Sequence, residues 1–231
     1  MPRIPLASDP DIAEIGSMVG DPSRVAMLAA LADGCARPAG ELARAAEISR
    51  PTASAHLEKL MRARLIRVEK QGRFRYYRLY GPEVAELLET LAIVASQAPA
   101  RTSAQRAAGQ MLRFARSCYG HLAGQLGVAV ADALCSRGML NPAGSSYAIT
   151  PAGAAWFGAL GIDVQALDGD VPAKKCLDWS ERRHHLAGAL GRALTGRMIA
   201  LGWLRRTQTP RQLRLTDRGR ARLAAELKLS V

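Results

Sequence analysis

Residues Cys118 to Gly127 read CYGHLAGQLG, and Arg182 to Gly191 read RRHHLAGALG, so that His-Leu-Ala-Gly recurs 64 positions later. The register persists beyond the match. Arg137-Gly138-Met139-Leu140 falls on Leu201-Gly202-Trp203-Leu204, and YAITPAGAAW, from Tyr147, falls on LRLTDRGRAR, from Leu213, with the interval now 66. Such a period means that one supersecondary unit is used twice. Each copy is expected to be a helix, a turn at Gly-x-Leu, a β-hairpin and a helix capped by Thr150 or Thr216, an order like the tail of a winged helix. Leu122, Leu126, Val130 and Leu134 repeat as Leu186, Leu190, Leu194 and Met198, a core stripe at helical spacing. Gly124 and Gly188 would allow close packing. His121 and His185 read first as framework residues at a helix start and second as ligands, because duplicated units keep structural positions.

The cysteines do not follow the repeat so simply. Residue 182, 64 after Cys118, is arginine, which sets the thiol outside the shared framework. Cys118 and His121 form C-x-x-H, an i, i+3 pair that a helix would present side by side. Cys176 precedes DWSERRHH, which holds His184 and His185. If the copies pack about a pseudo-twofold axis, Cys118, His121, Cys176 and one of His184 and His185 would converge as the three or four N and S ligands of zinc or another thiophilic ion. Two alternatives stand beside that one: a thiolate eased toward ionisation by Arg116, Arg182 or Arg183, hence a sensor of oxidants or electrophiles, and inert buried thiols. Cys135, inside an apolar helix, reads as core.

The N-terminal part has a different pattern. Asp21 can cap a helix with Pro22 in its first turn and Gly34 beyond its end. After GELARAAEI, Ser49 can cap a second helix with Pro51 near its start, on which Ala53, Leu57, Leu60 and Leu65 keep one apolar face. Two helices joined this way make a helix-turn-helix. The stretch LIRVEKQGRFRYYRL then alternates like a hairpin bending at Gln71-Gly72. Arg50, Thr52, Ser54, Ala55 and His56 stand at the leading edge of the second helix, where a recognition helix meets base edges. Lys59, Lys70, Arg73 and Arg75 flank it as phosphate contacts that set register.

Charge supports that reading. The chain carries a formal +12, and between Arg44 and Arg78 ten Lys or Arg residues face three acids (Glu47, Glu58, Glu69), a local net of +7. Concentrated positive charge attracts the phosphates of double-stranded DNA by counterion release. Seven arginines against Asp217 between Arg205 and Arg222 leave open a second DNA contact or a solvated basic face.

The run from Asp21 to Leu79, with SRPTASAHLEKLMRARLI and the wing QGRFRYYRL, resembles the DNA-binding domain of the ArsR family of winged-helix repressors. The resemblance implies a homodimer released from its operator by metals or other effectors, with Ile12 to Val19 and Pro82 to Ser96 pairing two subunits. Val84, Leu87, Leu88, Leu91 and Val94 give the second segment an apolar stripe. The chain departs from the family where metal is held. RPAGEL, from Arg37, lacks the cysteines of a C-x-C-D-L trio, and Pro82 to Ser96 offers Glu83, Glu86 and Glu89 but no histidine.

These readings divide the chain into a winged helix-turn-helix and dimerisation domain at 1–97, a linker or helix extension at 98–114, and a C-terminal effector region of two units, 115–170 and 171–231. The fold class is mainly α with small β-hairpin wings, an α+β chain. The absence of a phosphate loop, a nucleophile elbow and paired carboxylates argues against an enzyme. With no apolar run long enough to span a bilayer and no export signal in MPRIPLASDP, a cytoplasmic protein is expected. The function expected is a sequence-specific DNA-binding transcriptional regulator, a repressor, answering through its C-terminal region to a metal ion or to a thiol-reactive or small-molecule effector, the alternative being an architectural winged-helix DNA-binding protein with no effector.

Overall fold

The computed structural model describes residues 11–95, 103–169 and 171–230. The described residues divide into two compact units, one made of those up to Gly81 without the short segment Leu31–Cys35, the other of that segment and the described residues from Pro82 onward.

The first unit holds α1 (Ile12–Val19), α2 (Pro22–Leu31), β1 (Arg37–Pro38), α3 (Ala39–Ala45), α4 (Arg50–Arg62), β2 (Ile66–Gln71) and β3 (Phe74–Leu79). Asp21 begins α2 by accepting the backbone N–H of Arg24 at 2.9 Å, and Ser49 begins α4 by accepting that of Thr52 at 3.3 Å. Met27, Leu28, Leu42, Leu57, Leu60, Ile66 and Leu79 are buried and hold α2, α3 and α4 against the hairpin. The hairpin pairs Gln71 with Phe74, so its two turn residues are Gly72 and Arg73, one step beyond the bend expected at Gln71-Gly72, with Gly72 at φ +59°. Arg37 and Pro38 add a third strand, β1-β3-β2, which the sequence reading did not anticipate.

The second unit begins with α5 (Pro82–Ala95) and α6 (Ser103–Phe114). The sequence reading attached α5 to the N-terminal module; it packs here with the C-terminal residues, because its buried Glu89 forms ion pairs with Arg116 and Arg211. The positions of the expected linker from 98 to 102, and Ser96 at the end of the expected dimer helix, lie outside the described residues.

The duplicated region follows as β4 (Arg116–Cys118), β5 (His121–Ala123), α7 (Gln125–Ser136), β6 (Leu140–Ala143), β7 (Ser146–Ile149) and α8 (Pro151–Ala159). The second copy is β8 (Lys174–Leu177), β9 (His184–Ala187), α9 (Gly188–Ala200), β10 (Leu204–Arg206), β11 (Leu213–Leu215) and α10 (Asp217–Leu227). Each copy is therefore hairpin, helix, hairpin, helix, with a first hairpin where the sequence suggested only a helix start. The caps repeat: Thr150 accepts the N–H of Gly153 and donates to the Gly138 carbonyl at 2.7 Å, as Thr216 accepts that of Gly219 and donates to Gly202 at 2.7 Å.

The copies interlock reciprocally. Strand β7 pairs with β8 of the other copy at Ser146 and Lys174, and Gln212, just before β11, bridges to Arg116 of β4. Helix α7 packs on β9 and α9 on β5. The expected leucine stripes are buried at this joint, together with Phe157 and Trp203. At Gly127 a side chain would force the backbone apart, since a Cβ would lie 2.5 Å from the Leu122 carbonyl oxygen and 3.6 Å from the His185 Cβ. The backbone crossing requires glycine there.

Candidate nucleic-acid interface and cysteine-histidine cluster

At the leading edge of α4, Arg50, Thr52, Ser54 and Ala55 are exposed while Ala53, Leu57 and Leu60 face inward, as a helix anchored along one stripe demands. The Thr52 hydroxyl lies 2.7 Å from Ser49 Oγ, and Ser54 Oγ donates to the Arg50 carbonyl at 3.1 Å, which fixes both side chains at the helix start. His56 differs from these. It turns toward the start of α2, with Nδ1 3.5 Å from Arg24 Nη1 and 4.0 Å from Asp21 Oδ1, so its ring braces two helices instead of projecting with the others. Lys59, Lys70, Arg73 and Arg75 are exposed, and Arg73 sits at the wing tip with its guanidinium over the Phe74 ring. Of the basic C-terminal segment, Arg211 pairs with Glu89 and Arg206 with Asp33, whereas Arg205, Arg214, Arg218 and Arg220 are exposed.

In the second unit Cys118, His121, Cys176 and His185 converge, each offering a ligand atom within 4.8 Å of every other. Their placement corrects two expectations. Cys118 and His121 are not neighbours on a helix but cross-strand partners flanking the two-residue turn Tyr119-Gly120, whose residues have φ +47° and +90°. Cys176 and His185 are cross-strand partners in the same way on β8 and β9. Cys118 thus has a counterpart, and it is Cys176, not Arg182; a longer loop between β8 and β9 moves the cysteine in sequence but not in register. His184 is exposed on β9 opposite Leu177 and stands outside the cluster.

The two imidazoles meet at the centre with Nε2 atoms 3.0 Å apart. Behind His185, Nδ1 lies 3.3 Å from Asp178 Oδ2, close enough for an ionic contact though out of line for a good hydrogen bond. Asp178 is wholly buried and accepts from Arg116 Nη2 at 2.9 Å, the Gly124 backbone N–H and the Ser180 hydroxyl. Burial opposes its charge, but His185, Arg116 and these donors outweigh burial and hold the carboxyl well below the usual range. Burial likewise disfavours a cation at both histidines. It lowers the pKa of His121, whereas at His185 contact with Asp178 and Cys118 prevails and raises it. The Cys118 thiol, facing that of Cys176 and buried, is pushed up to about 12. The arginines considered as thiol activators are engaged or turned away: Arg116 with Asp178 and Glu89, Arg183 with Asp132 at 2.8 Å, and Arg182 exposed.

A family model described as a helix-turn-helix domain matches residues 19–69. Among solved structures, the homodimeric winged helix-turn-helix DNA-binding domain (fragment 1–100) of Mb0332 from Mycobacterium bovis is 29% identical over 40% of this chain and 92% of its own, with a TM-score of 0.35. HlyU from Vibrio cholerae is 26% identical over 36% of this chain and 89% of its own, with a TM-score of 0.33. The HTH-type transcriptional regulator YdfF of Bacillus subtilis (strain 168) is 43% identical over 225 residues, 96% of this chain and 100% of the relative. That similarity spans both the winged helix and the duplicated region, and it places the chain in the family of HTH-type transcriptional regulators.

Proposed function

We propose that the protein is a dimeric, sequence-specific repressor whose C-terminal unit receives an effector. The observation that carries this reading is the exposed leading edge of α4, capped by Ser49 and presenting Arg50 and Thr52 beside a cationic hairpin. A helix start of this form enters a major groove while Lys70, Arg73 and Arg75 hold phosphates on either side. Two subunits would place two such helices about one DNA turn apart. The apolar side chains left exposed on α1 and α5, Ile12 at 78% and Val94 at 68%, suit subunit pairing. In the C-terminal unit, a cavity of about 500 Å³ lined by Cys118, His121, Cys176, Lys174 and Arg192 offers room for an effector. Fluorescence anisotropy on DNA from the protein's own promoter region, against scrambled duplex at several salt concentrations, tests the reading. Specific binding at least a thousandfold tighter than to scrambled DNA is expected; equal affinity for both would overturn it.

A further inference from the structure

We propose that Cys118, His121, Cys176 and His185 form a binding site for one zinc-group cation, Zn(II) or Cd(II), and that its occupancy is the effector signal. The second half rests on the function proposed above; the first does not.

The donor set comes first. Two thiols and two imidazoles are the ligands that tetrahedral zinc-group ions take, and all four ligand atoms lie within 4.8 Å of one another. With bonds of about 2.3 Å to sulfur and about 2.0 Å to nitrogen, the edges of such a tetrahedron run from about 3.3 Å between nitrogens to about 3.8 Å between sulfurs. The 3.0 Å between the His121 and His185 Nε2 atoms already approximates the nitrogen edge. With no ligand pair more than 4.8 Å apart, closing the remaining pairs needs a contraction of at most about 1 Å.

The symmetry comes second. Each copy contributes a cysteine and a histidine from the same cross-strand pair of its first hairpin, so the four donors are related as the two copies are. An isolated thiol beside a histidine arises by accident more readily than two matched pairs facing each other. The cavity reaches Cys118, His121 and Cys176 from one side, which supplies a way in.

The surroundings come third. His185 has Asp178 behind its far nitrogen, the carboxylate placement that orients a metal-bound imidazole and strengthens it as a ligand. The buried Nδ1 of His121 has no hydrogen-bond partner among the described residues. Of the two imidazoles, only that of His185 thus has such outer support.

Occupancy has a route outward within this unit. From His185 the contacts run to Asp178, from Asp178 to Arg116 at 2.9 Å, and from Arg116 to Glu89 of α5 at 3.6 Å. An ion that draws the two hairpins together shifts the carboxylate on which Arg116 is anchored, and with it the helix proposed to pair subunits.

The test uses full-length reduced protein titrated with Co(II), then with Zn(II) as competitor. One Co(II) per chain is expected, with tetrahedral ligand-field bands and thiolate charge transfer, both abolished by Zn(II). Cys176→Ser, at a half-buried position, should weaken Zn(II) at least a hundredfold and remove much of the charge transfer; His184→Ala should bind as the wild type does. X-ray absorption of the Zn(II) protein, which needs no variant to fold, should show two sulfur and two nitrogen neighbours. Sub-stoichiometric binding, a zinc shell without sulfur, or an unaltered Cys176→Ser would overturn the site. So would a Cys118–Cys176 disulfide formed in air while added metal stays unbound, which would assign the pair to thiol redox chemistry. If the site fills but Zn(II)-loaded and metal-free protein bind the promoter DNA equally, the signalling half is overturned and the site is structural; about 5- to 150-fold weaker binding when loaded is expected. Failure of the DNA reading would appear separately, as no sequence preference in either state.

Discussion

Gly191 lies beneath His121 of the other copy: a Cβ at position 191 would stand 3.1 Å from the His121 Cβ and run into the Leu186 carbonyl oxygen. Gly127 lies beneath His185 in the same manner. Gly191→Ala should therefore destabilise the protein by about 1–3 kcal/mol through overpacking. Gly196→Ala, on the exposed side of the same helix with nothing within 4 Å, should be neutral or stabilise by up to about 1 kcal/mol. Urea unfolding of both variants checks the pair, and equal stability of the two would mean that the copies do not interlock as described.

At the proposed DNA interface the side chains are expected to separate by role. Arg50→Ala and Thr52→Ala should each cost about 1–3 kcal/mol of specific binding, while Arg73→Ala should weaken all sequences alike and lower the salt slope by about 1. His56→Ala should leave base preference intact and lower thermal stability, because its ring rests against Asp21 and Arg24. A changed operator preference in His56→Ala would contradict its inward placement.

Asp21 gives α2 a pH dependence of definite sign. The Arg24 backbone N–H and, less strongly, the positive groups of Arg24 and His56 lower its pKa from 3.8. Since the folded value lies below the unfolded one, the stabilisation is present above about pH 4 and is lost as the pH falls through the depressed folded value. Asp21→Ala should cost about 1 kcal/mol at neutral pH from the lost cap. Asp21→Asn keeps a capping oxygen, so its stability deficit relative to wild type should shrink on acidification; a deficit that grew would reverse the sign assigned here.

Asp178 compensates the charge of a guanidinium that is 1% exposed. Asp178→Ala removes one partner of a buried pair and leaves Arg116 with Glu89 as its remaining anionic contact, a change of about 3–5 kcal/mol. Denaturant unfolding followed at Trp179, whose ring stacks on Arg116, should move to lower midpoint. A midpoint within error of wild type would mean that the pair carries no net stability.

The subunit pairing proposed for α5 has a simple check. Val94→Glu puts a charge on a side chain that is 68% exposed in one chain and is not needed for its fold. Sedimentation should show a shift toward monomer, with operator affinity falling while the circular dichroism spectrum is unchanged. An undiminished dimer would move the pairing surface elsewhere.

The winged helix was legible because its signals are local: Ser49 with Pro51 starts α4, Asp21 starts α2, and alternation with Gly72 writes the hairpin. The duplication was legible too, as were the Thr150 and Thr216 caps. The first hairpin of each copy was missed. Three-residue strands β4 and β5 give too short an alternation to outweigh the helical stripe that follows, although Tyr119-Gly120 between Cys118 and His121 is a two-residue turn that could have been read. The equivalence of Cys118 and Cys176 was hidden for a different reason. Fixed-interval comparison follows sequence, whereas cross-strand register follows hydrogen bonds, and the longer β8–β9 loop separates the two. Nothing local marks Arg37 and Pro38 as a strand, since their pairing is decided by Tyr76 and Tyr77 far along the chain.

The edge-to-edge pairing between the two copies has a consequence for how such a chain can be cut or borrowed. Freed from its twin, either half would carry a raw sheet margin, at β7 in one and at β11 in the other, with backbone amides and carbonyls open to whatever extended peptide came near. Neither half is a portable module; the seam through their middle is a wall that both sides build.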